Sequence, residues 1–169
     1  MPCGCAKDRY IDPEGLAWGP LLWRVLHGLA ERVGHLVRPI FLQDEKRSWK
    51  VLLEIVAKIL PCDVCQAHYT KWLAAHPVSP IQTLTGDALR EFIRTWLWTL
   101  HENVNKDLEK PTFAYENLTE LYGNLNVEPP YKYFEKLEKI AIVKTVVKLN
   151  QWMIFVKEYR TLANIYGLV

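Results

Sequence analysis

No run of apolar residues in this chain approaches the roughly 20 that a helical bilayer crossing requires. The most apolar stretch, Ile140 to Val156, is interrupted by Lys144, Lys148, Asn150 and Gln151. Neither sign of charge dominates: 21 basic and 19 acidic residues leave a formal charge of +2, interspersed along the chain. That argues against a basic stripe for nucleic acid and against an acidic tail. The opening Met1-Pro2-Cys3-Gly4-Cys5 lacks the basic segment and apolar core of a secretory signal. Alternating strand patterns, hairpin signals, internal repeats and low-complexity tracts are missing as well. The chain therefore reads as soluble and intracellular, with no membrane span and no nucleic-acid partner. Cysteine is scarce: four residues, in two close pairs, Cys3/Cys5 and Cys62/Cys65. Without a signal segment, such pairs point to redox or metal chemistry and not to structural staples.

What is present is helical periodicity. The 169 residues, 50% of them hydrophobic, suffice for one domain with a core and not for two full ones. From Trp18, the residues Leu22, Val25, Leu26, Leu29 and Val33 recur at helical spacing. A second stripe runs through Trp49, Leu52, Leu53, Val56, Ile59 and Leu60. Pro61 is expected to open a third helix carrying Cys62, Cys65, His68, Tyr69 and Trp72. Thr85 is the expected N-cap of a long fourth helix with Asp87 in its first turn, stopping near Lys110-Pro111. Pro129-Pro130 marks the clearest boundary, and beyond it the pattern reads as one long helix or two shorter ones. The fold class is all-α, and short loops between the first four helices suggest an antiparallel bundle. Residues 1–13 read as a flexible arm, 14–125 as the main domain and 126–169 as a helical extension.

Cys62-Asp63-Val64-Cys65 falls at a helix start, where free backbone N–H groups stabilise a thiolate and favour attack on another disulfide. His68 and Tyr69 follow Cys65 by three and four residues and share its face. A thioredoxin-like protein would need a βαβ context, which is not visible. Zinc held by Cys3, Cys5, Cys62 and Cys65 is a second possibility, and a helical scaffold for a partner is a third. A disulfide in Cys3-Gly4-Cys5 closes a very small ring, which suits a readily exchanged shuttle on the arm.

Two other helices carry aromatic and polar groups together. The first has Trp23 and His27; the fourth has Trp98, His101, Val104 and Asn105, with Lys110 just beyond. Buried polar side chains need partners. A planar heterocycle bearing phosphates would supply stacking surface, hydrogen-bonding edges and charge for Lys110.

Three blocks carry a resemblance. They are Trp18-Gly19-Pro20-Leu21-Leu22-Trp23-Arg24-Val25-Leu26-His27, Leu60-Pro61-Cys62-Asp63-Val64-Cys65-Gln66-Ala67-His68-Tyr69, and His101 to Asn105 followed by Leu108-Glu109-Lys110-Pro111-Thr112-Phe113. In order and spacing, over roughly residues 14 to 115, the chain resembles the Erv/ALR sulfhydryl oxidases, most of all those of large DNA viruses. The resemblance implies a four-helix bundle holding FAD, a short fifth helix and usually a homodimer. It implies Cys65 as the flavin-proximal sulfur, Cys62 as the exchanging one, and Cys3 and Cys5 as the shuttle. Trp23, His27, His68, His101, Asn105 and Lys110 would contact FAD, with Tyr69, Trp98 and Val104 near it. The implied partners are a dithiol or thioredoxin-like protein substrate and molecular oxygen, which would leave as hydrogen peroxide. The implied setting is the host cytoplasm or the virion, with the mitochondrial intermembrane space as alternative. This chain departs from the family at Glu102, usually Asn, and a carboxylate there is expected to be repelled by FAD phosphates. Leu60 replaces a common Tyr, and no cysteines remain for a further structural disulfide.

Overall fold

The computed structural model describes residues 17–34 and 37–168; Cys3, Cys5 and the arm lie outside them. Seven α-helices make up the described residues, with no strand element. They are α1 (Trp18–Ala30), α2 (Leu42–Ile59), α3 (Asp63–Ala75), α4 (Gly86–Asp107), α5 (Leu118–Tyr122), α6 (Glu128–Val143) and α7 (Leu149–Ile165). Each long helix except α3 buries one apolar stripe. In α1 it comprises Leu21, Leu22, Val25, Leu26, Leu29 and Ala30, the i, i+3, i+4 spacing of a core-facing side. The stripe is why the segment is helical despite Pro20, which sits in the first turn where a missing N–H costs little. Within α1 to α4, α1 pairs with α4 and α2 with α3.

Several boundaries differ from the sequence reading. Helix α3 begins at Asp63 and not at Pro61, because Cys62 has an extended backbone and takes the N-cap position itself. Thr85 does sit at the N-cap of α4, yet its side chain makes no capping hydrogen bond. Helix α4 stops at Asp107, three residues early. Glu109 enters the left-handed region at φ 54, and the Lys110 N–H donates back to the Asn105 carbonyl at 2.8 Å. Pro129 and Pro130 lie inside the first turn of α6, not before it. The C-terminal region forms two helices, since the β-branched run Ile142-Val143 and Thr145-Val146-Val147 loses side-chain freedom in a helix and Thr145 turns to φ 60.

The extension covers the backs of α1 and α2. Helix α6 packs on α1 and α7 on α2, within one continuous hydrophobic cluster. The approach at α1 is close: a Cβ on Gly28 would stand 2.5 Å from Val127 Cγ1, so only glycine lets the 123–127 segment lie there. Arg32 secures the same segment by donating to the Leu125 carbonyl at 2.9 Å. At α2, the Trp49 indole donates to the Tyr166 hydroxyl at 2.8 Å. That hydroxyl donates to Glu45 Oε1 at 2.6 Å, which also accepts the Gly34 N–H. The start of α2 thus meets the end of α7, an antiparallel pair. Between the two new helices, Tyr131 stacks on Tyr159 at 3.8 Å, while Phe134 meets Trp152 and Phe155 edge-on.

Candidate active site

The two described cysteines stand at the amino end of α3. The Cys65 N–H donates to Cys62 Sγ at 3.2 Å, so sulfur satisfies one of the backbone donors a helix start leaves open. Cys62 is buried and Cys65 half-buried. Burial, the hydrogen bond with Cys62 and the charge of Cys62 push the Cys65 thiol far above the usual range. Tyr69, one turn on, is buried and donates its hydroxyl to the Leu53 carbonyl at 2.8 Å, anchoring α3 to α2. His68 is exposed.

A cluster of rings lies between α1 and α4. His27 and His101 share a hydrogen bond between Nε2 and Nδ1 at 3.1 Å. The Trp23 indole lies over His101, with 4.1 Å between ring centres and 11° between planes. Tyr122 of α5 stacks on His27 at 4.7 Å, and Phe113 meets His101 edge-on at 5.2 Å. Burial, with the Lys110 charge nearby, lowers His101 to about 4. Burial, then His101 and Arg94, hold His27 well below its ordinary value. Both imidazoles are thus neutral at physiological pH, each able to donate at one nitrogen and accept at the other. Asn105 is buried on the same helix as His101, Val104 is half-buried, and Lys110 is exposed.

Two networks hold the rings in place. In the first, Glu31 is buried and takes Arg94 Nε at 2.7 Å and Arg90 at 3.1 Å. Thr119 donates to Glu31 at 2.9 Å and accepts from Arg94 at 3.1 Å. This ties α5 to α1 and α4, one turn before the Tyr122 that stacks on His27. In the second, Glu102 Oε1 accepts the Phe113 N–H at 3.1 Å, and the Trp98 indole donates to the Phe113 carbonyl at 3.0 Å. Both backbone groups of Phe113 are therefore clamped to α4. The Glu102 carboxylate is buried and occupied with this clamp and with Asn105 Nδ2 at 3.5 Å.

The structure thus brings together Trp23, His27, His101 and Asn105, with Lys110 close enough to act on His101. It leaves His68 on the surface and commits the polar ends of Tyr69 and Trp98 to backbone carbonyls. Phe113, Tyr122, Glu31 and Arg94 were not singled out from sequence. Only Glu31 left a signal, one turn after His27 and charged within an apolar stripe. An open groove of about 500 Å³ lies elsewhere, lined by Trp72, His76, Phe92 and Trp96. Among the described residues no three His, Cys, Asp or Glu converge as metal ligands. A zinc site would need Cys3 and Cys5, which lie outside them.

A dithiol capping a helix, in an all-helical bundle that also buries a neutral histidine pair among stacked rings, has the architecture of a helical thiol-redox protein. The βαβ unit of thioredoxin is not part of it. The chain belongs to the Erv1/Alr family, whose sequence profile matches residues 20–123. It is 31% identical over 113 residues to the FAD-linked sulfhydryl oxidase of African swine fever virus, covering 63% of this chain and 81% of that protein. It is 28% identical over 108 residues to the FAD-linked sulfhydryl oxidase ERV1 of Oryza sativa, covering 64% of this chain and 50% of the plant protein. The mitochondrial FAD-linked sulfhydryl oxidase ERV1 of Saccharomyces cerevisiae is 28% identical over 114 residues, covering 67% and 54%. No solved structure matches significantly.

Proposed function

We propose that this chain is an FAD-linked sulfhydryl oxidase that forms disulfide bonds in protein substrates and passes the electrons to oxygen. The observation that carries this reading is the Cys62–Cys65 pair at the α3 amino end, lying within the family match. The residues present fit FAD. Flat rings from Trp23, Phe113 and Tyr122 offer stacking surface, and two neutral imidazoles and the buried Asn105 offer donors and acceptors. The cation of Lys110 suits a phosphate chain. When bound, FAD supplies two-electron redox chemistry that no side chain provides.

The protein's own part is thiol exchange. A substrate thiolate attacks Cys62 of the Cys62–Cys65 disulfide, forming a mixed disulfide and releasing Cys65 as the leaving sulfur. A second substrate thiolate attacks the mixed disulfide, so the substrate leaves oxidised and both cysteines are reduced. The surroundings of Cys65 resist negative charge, so its release as leaving sulfur is helped by taking up a proton. Over the cycle two thiols become one disulfide, and two electrons and two protons convert oxygen to hydrogen peroxide. Cys3 and Cys5 act as the first acceptor, relaying electrons from a dithiol or thioredoxin-like protein to Cys62. Trp23, His27, His101 and Asn105 hold the flavin, with His68, Val104 and Lys110 at its margin and Tyr69 and Trp98 fixing the elements around it. Residues 14–125 carry the chemistry and 126–169 form the cover. A homodimer belongs to this proposal; since α6 and α7 occupy the backs of α1 and α2, it uses other surfaces. No described helix is long and apolar enough to cross a membrane, and the viral relatives favour the host cytoplasm or virion over the intermembrane space.

The purified protein is expected to be yellow. Cys65→Ser is expected to stay yellow while dithiol-dependent oxygen consumption falls at least about 100-fold. A colourless wild-type protein that takes up no flavin, or an active Cys65→Ser, would overturn the assignment.

A further inference from the structure

Exposed large apolar side chains are not spread evenly over this protein. Ile140, Val143, Leu149, Met153 and Ile154 are all exposed, Val143 at 84% and Met153 at 62%. All five lie at one place, the end of α6 and the start of α7. The intervening turn folds back tightly, with the Val146 N–H donating to the Ala141 carbonyl at 3.0 Å. Phe134 packs against Trp152 and Phe155, so the two helices run antiparallel and these residues form the tip of a hairpin.

The charges around the tip have one sign. From residue 139 to residue 157 the sequence holds Lys139, Lys144, Lys148 and Lys157 and no acidic residue. All four lysines are exposed. The bordering acids Glu138 and Glu158 are buried. Lys139 has a surface pair with Glu135 at 3.3 Å, of the exposed kind that contributes little, and Lys157 lies 3.7 Å from Glu158 Oε1. Such a tip offers aliphatic groups to an apolar phase and long cationic side chains that reach back to anionic groups at its boundary.

We propose that the tip of the α6–α7 hairpin is a docking surface for an anionic lipid bilayer, on which the protein sits peripherally. A second copy fits this surface poorly, because two tips face to face would bring eight lysines together with no acidic residue between 139 and 157 on either copy. A protein partner fits less well than a bilayer for a different reason. Protein interfaces are anchored by aromatic residues and arginine seated in pockets, whereas the hairpin's Trp152, Phe155 and Tyr159 are buried inward and the exposed groups are aliphatic and protruding. Binding at the tip uses no residue of the thiol site and stands independently of the flavin reading.

The test is co-flotation of the full chain with phosphatidylcholine vesicles, with and without about 30% phosphatidylserine. Binding is expected to the anionic vesicles only, and to fall steeply near 0.5 M salt, where the screening length drops to roughly 4 Å. The double variant Val143→Asp/Met153→Asp should lower the bound fraction about tenfold or more. Lys148→Ala alone should weaken binding about fivefold. Both changes fall on exposed side chains, and unchanged helical circular dichroism would verify folding. The proposal fails if the wild-type protein ignores anionic vesicles at low salt, or if it binds neutral and anionic vesicles equally. It also fails if the double variant binds as well as wild type, or if the tip instead drives a dimer that the double variant dissolves.

Discussion

Between α1 and α4, His27 meets His101, Glu31 meets Arg90 and Arg94, and Glu102 meets the Phe113 N–H. In the α6–α7 hairpin, both oxygens of the fully buried Glu138 have no partner, and Glu158 and Tyr159 each bury one oxygen in the same condition. The ring cluster and the hairpin treat their buried carboxylates differently: Glu31 and Glu102 are engaged, and Glu138 is not. Directional partners fix positions to within a few tenths of an ångström, which a site holding a cofactor requires. A cover requires only area, and stacked aromatic rings supply it without geometric demand. The hairpin therefore concentrates its polar cost in one carboxyl group, Glu138, with neither oxygen paired, whereas α2 and α3 leave only single buried atoms unpaired, at Glu45, Ser48 and Trp72.

Breaking the ordered side should have the largest effect. Glu31→Ala leaves Arg90 and Arg94 without their carboxylate and is expected to cost about 3–4 kcal/mol in urea unfolding. A loss under about 1 kcal/mol would mean that the network is ornamental. Glu102→Ala should cost about 1–2 kcal/mol by freeing the buried Phe113 N–H, and should weaken retention of flavin on dilution. Glu102→Gln keeps an acceptor oxygen and is expected to recover most of both.

The smallest effect is also the sharpest comparison, because the two regions respond to pH with opposite signs. The histidines have lowered values in the folded state, so their contribution is complete above about 6.5 and is lost as pH falls toward about 4. Glu138 is raised by burial from 4.5 to about 9. The folded state holds its proton where the unfolded chain has lost it, so stability falls as pH rises through that window. Hydrogen exchange should find the α1–α4 amides loosened first in acid and the hairpin amides first in alkali. Glu138→Gln should raise the melting temperature by a few degrees at about pH 8 and by less at about pH 5. A gain independent of pH would remove Glu138 as the cause.

Much of this was legible in the sequence where the causes are local. The stripes of α1, α2 and α4 follow from spacing within a few turns, whereas Pro61 reads as the start of α3 and Cys62 takes its cap instead. Trp23 with His27, and His101 with Asn105, likewise sit one turn apart on single helices. What escaped depends on contacts distant along the chain. Tyr122 reaches His27 only because the Glu31 network fixes α5, and nothing in the residues around Tyr122 announces it. The partners of Glu102 could not be read locally, because they depend on which way its carboxylate points, and the Phe113 N–H, eleven residues on, decides that. The end of α4 was placed three residues late because Pro111 is a visible stop, whereas the left-handed turn at Glu109 is set by the bond from Lys110 back to Asn105.

The tie among Tyr166, Glu45 and Trp49 has a consequence for biosynthesis. One face of α2 stays uncovered until the last helix has been made, and at roughly 5–20 residues per second that interval is on the order of ten seconds. During it the nascent chain displays Trp49 and its apolar neighbours with nothing to shield them. Maturation on this scheme waits for α7, and a ribosome-stalled fragment ending before α7 should be a client for chaperones.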